Sequence, residues 1–173
     1  METDQCAETS TINIQIIDNL ERESKELTDL EAMRITEFVR KNIIESNEGE
    51  YAPEEIDYLI KIKTPETIKE RSKNGFLVYL TNELDEIIGC GMIIKKDGKY
   101  NAKILNVRKD YRGNGLGRTI CEIRERKLRE MGIKEVYNES LKFRNTLRFH
   151  RSRDFFETGE DGKGLFLPMK KEL

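Results

Sequence analysis

The sequence ILNVRKDYRGNGLGR, residues 104–118, contains the most informative local pattern in the chain. Residues 104–107 form an apolar run of the kind found in buried strands. Residues 113–117 contain three glycines, which predict a turn. An amphipathic helix is predicted to begin inside this turn and to end near Met131, because Gly132 supplies a stop signal. The local order is therefore strand, glycine-rich turn and helix.

This glycine-rich turn is predicted to bind phosphate oxygens. Glycines leave the main chain uncovered, so that amide N–H groups can approach a ligand closely. The first N–H groups of the following helix are unpaired, and the helix dipole is positive at that end. Two familiar phosphate motifs do not match: no GxxxxGK[ST] is present, and the glycines run GxGxG and are followed by Arg118 instead of completing GxGxxG.

The elements predicted around this stretch alternate between helical and strand patterns. In chain order they are a strand at 12–16, helices at about 28–45, 53–62 and 65–73, strands at 76–80, 87–94 and 102–107, the helix to 131, a strand at 134–138, a helix at about 142–152 and a hairpin at 155–157 and 165–169. In the first strand Ile12, Ile14 and Ile16 alternate with polar residues, which predicts that the isoleucines face the core. The fold class is mixed α/β (α+β), with one mostly antiparallel mixed sheet of about seven strands flanked by about four helices.

Composition limits the classes of protein that the chain can represent. The 173 residues fit one domain, which we place at 11–173 behind a disordered segment 1–10. The three cysteines are an odd number without CxxC spacing, which argues against disulfides or a zinc site and suits the cytoplasm. The N-terminus does not have the pattern of a signal peptide. The apolar blocks are far shorter than the roughly 20 residues that a membrane span needs.

Charge is distributed unevenly along the chain. Residues 1–60 carry a net charge of −11, and residues 61–173 carry +9. The basic part favours an anionic ligand, and the acidic part could attract a cationic one by long-range steering. Two solvated faces of opposite sign are the alternative interpretation.

The pattern Arg-x-x-Gly-x-Gly at Arg112, Gly115 and Gly117 resembles the pyrophosphate loop of the GNAT acetyltransferase superfamily. The strand before it, with Leu105 and Val107, and the helix after it agree with that family. The resemblance implies the GNAT fold, acetyl-CoA as co-substrate and no metal. The coenzyme-binding residues that it implies are Leu105, Asn106, Val107, Arg112, Gly113, Asn114, Gly115, Leu116, Gly117, Arg118 and, less directly, Asn145.

The resemblance also implies how the acetyl donor is held. In this family the strands that correspond to 102–107 and 134–138 splay apart, and the thioester lies in the gap. Main-chain groups near Leu105 and Val107 then pair with the pantetheine arm like an added strand. The N–H of Val107 is expected to polarise the thioester carbonyl as an oxyanion-type donor.

Two side chains are candidates for proton transfer. The run Arg148–Phe155 resembles the family's Arg-Phe-Tyr-x-x-x-Gly-Phe, with His150 in place of a tyrosine that can return a proton to the leaving thiolate. His150 is either such an acid or a buried ring that serves only the structure. Glu139 is a candidate base because it follows the second splayed strand. A base that acts through water from the acidic front of the chain is equally open.

The function implied is N-acetylation of a primary amine by direct transfer from acetyl-CoA. The acceptor is expected to be a cationic small molecule or a peptide amine, because acidic residues cluster between the first two helices at Glu45, Glu48, Glu50, Glu54, Glu55 and Asp57. The alternative is a non-catalytic acyl-CoA sensor of the same fold. Nucleic acid and membrane are not expected as partners, since Arg144–Arg153 lacks a recognised nucleic-acid motif. A homodimer is left open.

Overall fold

The computed structural model describes residues 11–20, 25–159 and 164–173. Its centre is a sheet of seven strands in the order β1-β2-β3-β4-β5-β7-β6. The strands are β1 (Asn13–Asp18), β2 (Gly75–Thr81), β3 (Ile87–Lys96), β4 (Lys99–Val107), β5 (Glu135–Leu141), β6 (Phe156–Glu157) and β7 (Phe166–Glu172). Only β4 and β5 are parallel; every other neighbouring pair is antiparallel. The predicted disorder of residues 1–10 lies outside the described residues.

Five α-helices accompany the sheet in the described part of the chain, and each overlaps one of the five helices predicted individually, although the fold class gave their total as about four. They are α1 (Asp29–Ser46), α2 (Pro53–Lys61), α3 (Pro65–Ser72), α4 (Leu116–Glu130) and α5 (Arg144–Ser152). Thr28 and Glu31 form the predicted capping box at the start of α1. Pro53 and Pro65 begin α2 and α3, where a missing N–H costs nothing.

The helices cover both faces of the sheet and divide the core into two parts. On one face α1, α2 and α3 pack through residues such as Ile35 and Leu59 against Leu77 and Met92. On the other face α4 contributes Ile120 and Leu128 to a second core. Among the described helices, none combines the length and apolar character that crossing a membrane requires.

The first strand forms where it was predicted, but the prediction that its isoleucines face the core is wrong. Ile12, Ile14 and Ile16 remain 39%, 49% and 45% exposed, whereas Ile17 is 1% exposed. The reason is position: β1 is an edge strand, and α4 packs mainly over the central strands β2, β3 and β4. An alternating pattern shows that a strand has two faces but does not show which face a helix covers.

A fork between β4 and β5 is the feature that creates the site. The two strands pair only at Asn101 with Tyr137 and at Ala102 with Asn138, and they separate beyond that point. A bulge in β4 accompanies the separation, because its register against β3 shifts there and Ile104 has a φ of 48°. A β-branched residue rarely adopts a positive φ, and bulges of this kind redirect a strand.

Candidate active site

The fork opens into a cavity of about 630 Å³ that extends from the glycine-rich turn to the loop between α2 and α3. One end is formed by the turn and the start of α4, and the other by Lys63, Arg71, Lys103 and Glu139. Apolar side chains from α1 and α2, including Val39 and Leu59, form its wall. The cavity therefore has a main-chain end, an apolar middle and a charged end.

The main-chain end has the conformation that the glycines were expected to supply. Gly113 and Gly115 have φ values of +83° and +80°, and Gly115 is the N-cap of α4. A Cβ added at either glycine would meet no atom within 4 Å, so both face open space. By helix geometry the N–H groups of Leu116, Gly117 and Arg118 have no partner within α4. This open, positively polarised cradle fits phosphate oxygens.

Arg112 has a structural role at this turn. Its Nε donates to the carbonyl of Val107 (2.9 Å), and its Nη2 donates to Asn42 Oδ1 and Ser46 Oγ, both at 3.1 Å. The guanidinium therefore ties the turn to β4 and to α1. It also extends the positive potential of the cradle, since it carries a full charge next to the glycines.

The ladder between β3 and β4 determines where Val107 directs its main-chain groups. The N–H of Arg108 donates to the carbonyl of Ile88 (2.9 Å), so that pair faces β3. Antiparallel ladders alternate, and the next pair, Gly89 with Val107, therefore directs its polar groups away from the shared ladder. The N–H of Val107 thus points away from β3, on the side of β4 where the fork opens.

Nearly all of the proposed coenzyme-binding residues line this one cavity. They are Leu105, Asn106, Val107, Arg112, Gly113, Gly115, Leu116, Gly117, Arg118 and Asn145. Asn114 does not line it; its Nδ2 donates to the carbonyl of Tyr111 (3.4 Å), which stabilises the turn instead. Asn106 also has a local role, since its Nδ2 donates to the carbonyl of Ile104 (3.0 Å) within the bulge.

His150 is a buried neutral ring at the cavity wall. It is 6% exposed, and Asn138 Nδ2 donates to its Nε2 at 3.1 Å. The other ring nitrogen, Nδ1, has no hydrogen-bond partner among the described residues. Burial, helped by the charge of Arg124, lowers the pKa of His150 to about 4. Because almost none of the ring is protonated at neutral pH, this pKa favours the structural interpretation over the general acid.

The pKa of His150 predicts a specific loss of stability in acid. In the folded protein the ring stays neutral down to about pH 4, whereas the unfolded chain binds a proton near the ordinary value of 6.5. The unfolded state therefore binds more protons between these values, and the free energy of unfolding falls as pH drops through the window, by about 3 kcal/mol in total. Urea denaturation at pH 7 and pH 4.5 measures it. The His150→Gln variant, which does not titrate, should lose less stability; equal losses would contradict the prediction.

Glu139 lies at the charged end and is engaged by Lys103. The two side chains form an ion pair across the mouth of the fork. The hydrogen bond and charge of Lys103 lower the pKa of Glu139 against the opposing effect of burial. A carboxylate with a lowered pKa is a weak proton acceptor, which makes the pair more suitable for shaping the charged end than for general-base catalysis.

Sequence reasoning missed several residues that line the cavity. Phe149 packs over Gly117, where an added Cβ would lie 3.4 Å from the ring, and Asn138 holds His150. Lys63 and Arg71 come from the loop after α2 and from α3. The helical repeat of α3 is the one sequence signal that could have indicated that Arg71 faces the cavity. No sequence motif includes Lys63.

Comparison with known proteins agrees with this geometry. A family model described as the acetyltransferase (GNAT) family matches residues 36–155. The chain therefore belongs to the GNAT acetyltransferase family, and the predicted fold and enzyme class, an acyltransferase, are confirmed. A search of curated proteins found no match.

Solved structures share the fold at low sequence identity. The PaiA N-acetyltransferase of Thermoplasma acidophilum in complex with coenzyme A has a TM-score of 0.74 at 18% identity, over 93% of this chain and 99% of that chain. A GNAT family acetyltransferase of Staphylococcus aureus Mu50 has a TM-score of 0.68 at 19% identity, over 94% and 99%. One from Elizabethkingia anophelis, with acetyl-CoA bound, has a TM-score of 0.53 at 18% identity, over 62% and 82%. Within the described ranges of the present chain, no group of histidine, cysteine and acidic residues could hold a metal ion.

Proposed function

We propose that the chain transfers the acetyl group of acetyl-CoA directly to a primary amine. The observation that carries the proposal is the continuity of one cavity from the open cradle at Gly113–Arg118 to the fork between β4 and β5. A coenzyme whose diphosphate lies on the cradle can extend its pantetheine arm along the free edge of β4. Its thioester then reaches the fork, where the N–H of Val107 points.

The chemistry needs few protein groups. The neutral amine attacks the thioester carbonyl carbon, and the N–H of Val107 stabilises the oxyanion that develops. The carbon–sulfur bond then breaks, and the proton that the amine nitrogen loses passes to the leaving thiolate, so that the coenzyme leaves as a thiol. The role of the enzyme is mainly to hold donor and acceptor in reacting geometry. The base remains unassigned, since Glu139 is ion-paired with Lys103.

The charge expected of the acceptor is not supported by the placement of the acidic residues. Of the six acidic residues near the junction of α1 and α2, only Glu48 lines the cavity. Glu50 instead accepts from the N–H of Arg144 (2.7 Å), and Glu55 accepts from the N–H of Ala52 (2.8 Å). These carboxylates serve the fold more than an amine-binding site.

Thiol release tests the proposed function. Purified full-length protein is mixed with acetyl-CoA and a broad set of amines, free thiol is followed by colorimetry, and products are checked by mass for an added acetyl group. We expect amine-dependent release above the rate of hydrolysis without acceptor. Tight binding of acetyl-CoA without release for any amine would instead favour the acyl-CoA sensor, because His150 and Glu139 both lack a pKa suited to proton transfer.

A further inference from the structure

The charged end of the cavity holds more cations than its acidic groups can pair. Lys63, Arg71 and Lys103 line it together with Glu139, and Glu139 is occupied by Lys103. The side chains of Lys63 and Arg71 form no hydrogen bond or ion pair with any of the described residues, although the main-chain carbonyl of Lys63 accepts from Arg40. The three cations and Glu139 are close enough to act on one another: the charges of Arg71 and Lys103 disfavour protonation of Lys63, and the charge of Glu139 favours it.

The main chain that carries these side chains is fixed. Arg40 Nε donates to the carbonyls of Ile60 (3.2 Å) and Lys63 (2.7 Å), which fixes the loop after α2. At Gly75 an added Cβ would lie 2.8 Å from the carbonyl of Arg71, so the end of α3 packs tightly against the start of β2. Three cations on a wall with a fixed main chain therefore share one carboxylate, Glu139.

Such a cluster has an energetic cost that a ligand can offset. Burial, together with the charges of Arg71 and Lys103, lowers the pKa of Lys63 to about 8, so the ammonium is still mostly protonated at neutral pH. Like charges in a partly buried cavity repel one another, and an anion placed among them relieves that repulsion. Carboxylates and phosphates also match the planar fork of an arginine.

The phosphates of the coenzyme do not account for the cluster. Lys103 precedes Val107 by four residues along β4, which places them on the order of 12 Å apart. The cradle at Gly113–Arg118 lies beyond Val107, at the opposite end of the cavity. A diphosphate on the cradle leaves the charged end facing the acceptor.

Resting on the proposed function, we propose that the amine acceptor carries an anionic oxyacid group, a carboxylate or a phosphate, that Lys63 and Arg71 bind beside the fork. The anionic group occupies the charged end and directs the amine toward the thioester. The site thus selects acceptors that are zwitterionic or anionic, the reverse of the cationic acceptor that the acidic sequence cluster suggested.

Four amines of similar size test this inference: β-alanine with a carboxylate, phosphoethanolamine with a phosphate, propylamine without charge besides its amine, and 1,3-diaminopropane with a second cation. We expect kcat/KM for at least one of the anionic acceptors to exceed that for propylamine by roughly tenfold or more. The ratio between β-alanine and phosphoethanolamine shows which oxyanion the site prefers. Preference for propylamine or 1,3-diaminopropane would overturn the inference.

Two variants and a matched control locate the effect. Lys63→Met and Arg71→Met should each lower kcat/KM for the preferred anionic acceptor by roughly tenfold while changing that for propylamine much less. Lys61→Met removes an exposed cation outside the cavity, two residues from Lys63, and should change neither. Equal losses for charged and uncharged acceptors would contradict anion binding. Thermal unfolding of each variant confirms that it is folded.

A binding measurement separates failure of this inference from failure of the proposed function. Protein saturated with coenzyme A, which fills the cradle, is titrated with inorganic phosphate and followed by NMR. We expect shifts at the charged end, including those of Lys103 and Glu139, that are reduced in Lys63→Met and in Arg71→Met. Phosphate binding without turnover of any amine would support the anion site and refute the proposed function. Turnover without anion preference and without phosphate shifts would refute only the anion site.

Discussion

Replacing Gly115 by valine is expected to lower the affinity for coenzyme A by about ten- to a hundredfold. Gly115 has a φ of +80°, which a β-branched residue adopts only with strain, and it is the N-cap of α4. A side chain there would occupy the space from which phosphate oxygens approach the first N–H groups of the helix. Loss of one charge-assisted hydrogen bond costs about 1.5–3 kcal/mol, which gives the stated factor. Titration calorimetry measures it.

Gly98→Val is the matched control for this substitution. Gly98 has a φ of +74°, and an added Cβ would also meet no atom within 4 Å. It lies in the turn between β3 and β4, away from the cavity. Both variants therefore carry similar backbone strain, and both should lose similar stability in the absence of ligand. Only Gly115→Val should lose affinity; equal affinity in the two variants would contradict a main-chain diphosphate site at this turn.

Glu125→Gln is expected to destabilise the protein by about 3–5 kcal/mol, since it leaves the buried Lys171 without its counter-charge and weakens the pairing of Arg153. Glu125 lies in α4 and is 5% exposed. Its Oε2 accepts from Lys171 Nζ in β7 (3.0 Å) and from Arg153 Nη2 at the end of α5 (3.2 Å). Lys171 is itself 6% exposed. Glutamine keeps the size of the side chain and removes the charge, so chemical denaturation reports the loss of charge pairing.

Glu122→Gln provides the comparison on the same helix. Glu122 lies 3.7 Å from Arg153 Nη1, but its side chain is 55% exposed, so water screens the pair. The expected change is below about 1 kcal/mol. If the two variants were equally stable, the buried contacts of Glu125 with β7 and with the end of α5 would not contribute the expected free energy of unfolding. Because α4 begins at the cradle, the network supports the geometry of the proposed coenzyme site from the opposite end of the helix.

The parts of the fold that the sequence predicted are those encoded by neighbouring residues. The capping box at Thr28, the prolines that begin α2 and α3, and the glycine-rich turn all appear where local rules placed them. Left-handed conformations at Gly113 and Gly115 follow from the same rules. These features depend on interactions within a few residues, which a sequence displays directly.

The features that were missed depend on residues distant in the chain. The exposed side of β1 follows from where α4 lies, and the bulge at Ile104 follows from the register of β4 against β3. The ion pair of Lys103 with Glu139 spans 36 positions, and Lys63 meets them from another element. No local pattern indicates such contacts, so the sequence could not show that Lys63, Arg71 and Lys103 line this end of the cavity.

We expect the main-chain N–H groups at the start of α4 to hold the diphosphate of coenzyme A. A crystal structure of the purified protein soaked with coenzyme A tests this expectation. Diphosphate oxygens should lie within hydrogen-bond distance, about 2.7–3.2 Å, of the amide nitrogens of residues 113–118, with the thiol at the fork between β4 and β5. Coenzyme bound elsewhere, or a cradle left empty at saturating coenzyme, would contradict it.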